Sequence, residues 1–274
     1  MPVEYIVLLL GTGAIAGFAG GLLGLGGAFL MTPVQYIVYT GMGLTPDAAI
    51  RTAFGTSLLV ILSTALSSAW RHHHENAVNW RVAVTMGICG FFFSLGGATL
   101  AAYLPGTPLK IVFGVIGILS GARMLFATKE RAGIQPVEKP WVWIAWAIPV
   151  GLMTGILGVG GGVLMVPIFV LALRFKIHNA VANSLAIMIF TSIGGIIGYI
   201  ANGIEVADRL AYSLGYIHLP SWLMLAVPSA VTAQVGAFLA HRLHGRVLMI
   251  IFIIIQFYVG LRMIGVFEWL GWPL

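Results

Sequence analysis

The chain has 274 residues, of which 59% are hydrophobic and only 8% charged, and its mean hydropathy is +1.01. So few charges cannot cover the surface of a water-soluble protein of this length, so the solvent is lipid and no nucleic-acid partner is expected. The 36 glycines point to close helix contacts and interrupted helices, and the single cysteine, Cys89, excludes an internal disulfide and reads as a buried, inert thiol.

The N-terminus, Met1-Pro2-Val3-Glu4, has no basic region before its apolar run, which predicts a retained first span rather than a cleaved signal peptide. Two apolar arms follow at about 5–23 and 28–40, flanking a glycine-rich stretch, and then three ordinary spans near 53–70, 82–103 and 109–127. A polar linker covers 129–140. The second part repeats the plan, with arms at about 141–157 and 163–173 and spans near 180–201, 218–240 and 247–266. A full crossing of a ~30 Å core needs about 20 residues, so the second arm of each pair is too short and each pair reads as a re-entrant hairpin. Trp70, Trp80, Trp141, Trp143, Trp222, Trp269 and Trp272 fall at or near segment ends, as interfacial aromatics do.

The two parts are a duplication. The stretch Gly17-Phe-Ala-Gly-Gly-Leu-Leu-Gly-Leu-Gly-Gly-Ala-Phe-Leu-Met-Thr-Pro33 recurs as Gly151-Leu-Met-Thr-Gly-Ile-Leu-Gly-Val-Gly-Gly-Gly-Val-Leu-Met-Val-Pro167. Ala53-Phe-Gly-Thr-Ser-Leu58 matches Ala180-Val-Ala-Asn-Ser-Leu185, and Gly121-Ala-Arg-Met124 matches Gly260-Leu-Arg-Met263. Residues 1–128 are the first repeat and 141–274 the second, together one transmembrane unit.

Orientation follows from lysine and arginine. If each hairpin returns to the side it left, Arg71, Arg81, Arg123, Lys129, Arg131, Lys139, Arg174, Lys176, Arg242 and Arg246 share one face, which is cytoplasmic. Only Arg51, Lys110, Arg209 and Arg262 lie on the other. The same assignment gives each half an odd number of crossings, so the predicted fold is all-α and polytopic, with two inverted repeats. Each repeat is a glycine-broken re-entrant hairpin plus three transmembrane helices.

Inverted repeats with broken helices in matching positions are the sequence signature of secondary transporters, whose substrate sits near the midplane. Non-helical backbone cannot face lipid, so the breaks at Gly24–Ala28 and Gly158–Gly162 must line protein or a wet cavity. Arms starting at Ala28 and Val163 would offer unpaired N–H groups to an anion, which makes Gly26, Gly27, Ala28, Gly160, Gly161 and Gly162 candidate binding residues. The structural alternative is a set of small-residue packing motifs.

The acidic residues set the sign of the cargo. Glu4, Asp47, Glu75, Glu130, Glu138, Glu205, Asp208 and Glu268 all lie at termini, loops or span ends, whereas cation sites and proton relays use carboxylates within spans. A neutral site of amides and hydroxyls is therefore expected, for an anion rather than a metal or sodium. Thr56 and Ser57, with their counterparts Asn183 and Ser184, are its polar candidates, placed at the start of the helices after the hairpins, where capping is the competing role. Arg51 is a candidate anion lure at the outer entrance, or a snorkelling arginine. Arg123 and Arg262 read as interfacial anchors. His72-His73-His74 reads as a solvated loop rather than a metal tract, so no metal and no cofactor is expected.

These motifs carry a resemblance. Gly-x-Gly-Gly-Gly followed by Pro in each half, then Gly-Thr-Ser-Leu, resembles the TauE/SafE sulfite exporter family, from Gly17 to Met263. The resemblance implies export or uptake of small sulfur-containing or carboxylic anions across the cytoplasmic membrane of prokaryotes, with small anion and membrane lipid as partners and homo-oligomerisation left open. The first repeat departs from the glycine triplet at Ala28, and the second carries Asn183 where the family often has threonine. A membrane-embedded enzyme acting on a lipid phosphate is the alternative, but such an enzyme needs acid, base or metal ligands at its cavity, and the spans contain no carboxylate.

Overall fold

A computed structural model describes residues 1–125, 136–240, 242–243 and 245–266 of the chain. Ten helices run through them: α1 (Val3–Leu23), α2 (Ala28–Gly41), α3 (Pro46–His74), α4 (Trp80–Tyr103), α5 (Gly106–Leu125), α6 (Pro140–Leu157), α7 (Gly162–Pro167), α8 (Ile177–Gly203), α9 (Leu219–Ala240) and α10 (Gly245–Ile264). Among the described residues six of these, α1, α3, α4, α6, α8 and α9, are long and apolar enough to cross a membrane. The all-α, polytopic architecture expected from the sequence is the one observed. The linker residues 129–135 and the tail with Trp269 and Trp272 lie outside the described residues; 136–139 is extended and leads into α6 at Pro140.

Local signals set the helix ends. Gly24 and Gly158 terminate α1 and α6 in the left-handed conformation, each returning its N–H to the carbonyl four residues back, at 2.9 Å. Thr45 caps α3, its hydroxyl accepting the Ala48 N–H, with Pro46 in the first turn. That cap starts α3 well before residue 53, so Thr56, Ser57, Asn183 and Ser184 lie inside helices rather than at their starts. The far end of α3 runs through the histidines, and His72 is buried beside the Gly21 carbonyl rather than solvated. Of the expected interfacial tryptophans, Trp70, Trp80 and Trp141 are exposed, whereas Trp143 is buried and donates its indole N–H to the Val137 carbonyl. Cys89 is half-buried.

Helices cross between the two halves along stripes of small residues. On α1, a Cβ built at Gly13, Gly17 or Gly21 would lie 2.6, 2.4 or 2.0 Å from backbone atoms of Leu225, Ser229 or Ala233 on α9. The same relation recurs where Gly151 and Gly155 of α6 meet Gly90 and Ser94 of α4. Numbering rises together in both pairs, so these helices run parallel. It runs oppositely where Gly55 meets Tyr199 and Leu58 meets Gly195, so α3 and α8 are antiparallel. Gly114 against Ile264 and Gly117 against Gln256 make α5 and α10 antiparallel as well.

The second arm differs from the first. α2 is regular for 14 residues, but α7 ends after six and continues as a π-helical segment from Ile168 to Ala172. Pro167 has no N–H to return to the Val163 carbonyl four residues back. That carbonyl accepts instead from the Ser120 hydroxyl and the Gln256 amide. Between α8 and α9, where no further element is expected, the loop forms a short hairpin, β1 (Ser213–Leu214) with β2 (Ile217–His218), turning at Gly215. Its end dips into the bundle, with Tyr216, Ile217 and His218 buried.

Candidate functional site

The two glycine breaks adopt the same backbone. Gly24, Gly26 and Gly27 have φ of 73°, 67° and 83°, and Gly158, Gly160 and Gly161 have 64°, 67° and 93°. Only glycine takes this region without strain, which is why both runs are needed. Each turn is pinned by a repeat-equivalent hydroxyl, Thr64 donating to the Gly26 carbonyl at 3.1 Å and Thr191 to the Gly160 carbonyl at 3.0 Å. Gly26 and Gly160 both rest on Ile61 and Met188, one from each half, so the turns meet at the centre of the bundle.

The meeting explains the departure at Ala28. A methyl group on its counterpart Gly162 would come within 2.4 Å of the Gly24 carbonyl and 2.8 Å of the Leu25 Cα. The second turn therefore needs glycine where the first carries alanine. All six candidate backbone residues, Gly26, Gly27, Ala28, Gly160, Gly161 and Gly162, are buried and brought together. The first amides of α2, at Ala28 and Phe29, precede any intrahelical acceptor.

The polar candidates divide by task. Thr56 Oγ1 accepts the backbone N–H of His218 at 3.0 Å, and its counterpart Asn183 accepts the backbone N–H of Asn79 at 2.9 Å through Oδ1. Both therefore tie an interhelical connection to the helix behind the hairpin. Ser184 donates to the Gly24 carbonyl at 3.0 Å, so it holds the opposite turn. Ser57 faces α2, 3.2 Å from the Thr32 hydroxyl and 3.1 Å from the Gln35 amide nitrogen, which donates to it. Arg51, expected at the outer entrance, is half-buried. Its guanidinium donates to the Leu104 carbonyl at 2.9 Å and the Tyr216 hydroxyl at 3.4 Å, linking α3, the end of α4 and the β-hairpin.

Sequence reasoning missed Thr32, Gln35, Tyr39, His218 and Ser221, all buried around Ser57 and Thr56. Tyr39 donates to Gln35 Oε1 at 3.3 Å and meets the His218 ring edge-on at 5.8 Å. His218 Nδ1 lies 2.7 Å from the Ser221 hydroxyl and accepts the Ser221 backbone N–H at 3.4 Å, which makes Nδ1 an acceptor on a neutral ring. A glutamine within a short apolar arm was a signal for Gln35. Nothing local marked His218, which reaches Thr56 across 162 residues.

A model of the sulfite exporter TauE/SafE family matches residues 9–263. The chain belongs to that family. A probable membrane transporter protein of Methanocaldococcus jannaschii is 30% identical over 230 residues, covering 84% of each chain. A Haemophilus influenzae protein named in the same terms is 27% identical, over 85% of this chain and 88% of its own. The probable membrane transporter protein YunE of Bacillus subtilis is 28% identical, over 96% and 99%. No solved structure matches. This TauE/SafE chain is thus a multi-pass membrane transporter.

Among the described residues no group of three or more His, Cys, Asp or Glu could hold a metal ion. The described carboxylates keep to helix ends and connections: Asp47 accepts the Gly106 N–H at 2.8 Å, and Asp208 accepts the Thr45 N–H at 3.2 Å. A cavity of about 400 Å³ lies beside the second arm, lined by Ser120, Arg123, Trp146, Leu164, Ile168 and Leu171 among others. Its lining is mostly apolar and does not include the glycine turns.

Proposed function

We propose that the chain moves small anions, such as sulfite, organosulfonates or related sulfur-containing or carboxylate anions, outward across the cytoplasmic membrane. The mechanism is alternating access around a midplane site beside the two glycine turns. The observation that carries this reading is the meeting of the two glycine turns, each followed by a short helical arm, in a buried centre of the bundle with no buried carboxylate among the described residues. Such a centre suits a cargo that accepts hydrogen bonds and carries negative charge, since the first amides of an arm donate and no carboxylate is there to balance a cation. The family name, sulfite exporter, points to the same cargo class and direction.

The halves are related by a two-fold axis in the membrane plane, and the antiparallel course of α3 with α8 and of α5 with α10 supports this. Rocking of one half against the other then exposes the centre to alternate sides. In a Cys89→Ala background, cysteines at Lys139 and Glu205, both exposed, should label from opposite faces. Labelling of both from one side would remove the axis. The function itself is tested by flux in proteoliposomes with sulfite, methanesulfonate, sulfate and acetate, and with sodium as the cation control. Anion flux without sodium flux is expected; flux of sodium alone would overturn the reading.

A further inference from the structure

The two halves share the backbone of their glycine turns and the first turn of each arm, so a polar residue present behind one turn and absent behind the other is not required by the turn itself. Thr32, Gln35 and Tyr39 of α2 occupy the repeat positions of Val166, Phe169 and Leu173 in the second arm. All six are fully buried. The second arm packs behind its turn with apolar side chains alone, whereas the first places a threonine, a glutamine and a tyrosine there. Buried polar groups add nothing that apolar packing does not already supply in the sister arm, and each must find a partner.

The hydrogen inventory of this cluster is unbalanced. The Gln35 amide group carries two hydrogens, and the Ser57 and Thr32 hydroxyls one each. Tyr39 donates to Gln35 Oε1, which turns the amide nitrogen towards Ser57. The Gln35–Ser57 and Ser57–Thr32 bonds use two of the four hydrogens. Two remain for an outside acceptor, and no carboxylate competes for them. The cluster lies just inside the arm, Thr32 being five residues, roughly 8 Å along the axis, beyond Gly27.

We propose that Gln35, with Ser57 and Thr32, forms the anion seat, and that recognition is concentrated in the first half instead of being divided between the halves. The ligand class is a small oxyanion with an acceptor-only head, such as a sulfite or sulfonate group, which takes hydrogen bonds from amide and hydroxyl donors without a buried cation. Tyr39 is a positioning residue: it fixes which end of the amide faces the anion. This inference rests on the anion-transport reading and assigns its specificity.

The test uses the full chain in proteoliposomes with sulfite and acetate as the probes, comparing wild type, Gln35→Leu, Ser57→Ala and Phe169→Leu. Gln35→Leu should raise the KM for sulfite at least about tenfold and shrink the sulfite-over-acetate preference. Ser57→Ala should do the same by about threefold, and Phe169→Leu should leave both quantities within twofold of wild type. A packing role would lower the amount of active protein and leave KM and the preference unchanged. Should Gln35→Leu not fold, Gln35→Asn, which keeps an amide but withdraws it by one methylene, supplies the same comparison. Wild-type anion flux with KM and preference unchanged in the Gln35 and Ser57 variants would overturn the seat alone. Absence of anion flux in the wild type would overturn the transport reading and the seat together.

Discussion

The two re-entrant arms begin alike and then part. Both follow a turn of three left-handed glycines, and both turns hang from a threonine hydroxyl of the helix behind. Beyond Gly27 the first arm is a regular helix with polar side chains turned inward. Beyond Gly161 the second arm is α-helical for six residues, π-helical through Ala172, and apolar inside. The turn and its threonine are common to both arms, while buried polar side chains behind the turn occur in one. A property shared by the arms belongs to the fold; a property of one arm points to function.

The largest effect should come from crowding the turns, and the arms should differ in it. Alanine at Gly27 or Gly161 would take a left-handed conformation, costing roughly 1–2 kcal/mol. The obstacles then differ. At Gly27 the new Cβ would lie 2.6 Å from the Ala16 carbonyl oxygen, which is backbone, and at Gly161 2.6 Å from the Thr154 hydroxyl, a side chain. Gly27→Ala should abolish flux together with folded protein. Gly161→Ala should retain folded protein, and combining it with Thr154→Ala should restore part of the flux. Equal loss in both single variants, read as monodisperse protein after extraction, would break the comparison.

Next in size are the pins. Thr64→Val and Thr191→Val preserve shape but strip a buried carbonyl of its donor, which costs about 1–3 kcal/mol. Thr191→Val should lower thermal stability the more, because the Thr191 hydroxyl is nearest the Gly160 carbonyl, at 3.0 against 3.4 Å for its helix carbonyls, whereas Thr64 shares its hydrogen among the Gly26, Val60 and Ile61 carbonyls at 3.0–3.1 Å. Equal losses would show that the two turns are held alike.

Thr56 should come level with the pins and Asn183 below them, so this pair should split. Thr56→Ala orphans the N–H of buried His218, again at about 1–3 kcal/mol. Asn183→Ala frees the N–H of exposed Asn79, which water can take, so the cost should stay under about 1 kcal/mol. In both variants the affinity of folded protein for sulfite should remain within about twofold of wild type. A tenfold loss in either would return that residue to the binding site.

The course of the chain was legible at a distance because its signals are local. Apolar runs, glycine clusters and the repeat pattern placed every helix of the described residues within a few positions, α3 excepted. There the helix starts at Pro46, capped by Thr45, seven residues ahead of the apolar run that begins at 53. The glycine turns were legible for the same reason: positive φ is a demand on the residue itself. Thr56 and Asn183 read from the sequence as substrate-binding residues, whereas in the fold their oxygens accept the backbone N–H groups of His218 and Asn79, partners no local pattern announces.

By itself, then, the sequence determined that lipid is the solvent, that the chain is duplicated, and where it must break, since hydropathy, periodicity and backbone freedom are properties of contiguous residues. Only the tertiary structure decided which hydroxyls hold the turns and which gather around Ser57. It also decided why Gly162 cannot follow Ala28, and that His218 closes over Thr56. Hydrogen bonds and steric contacts of that kind join residues from 25 to 162 positions apart, and their partners are chosen by packing, which no local pattern records.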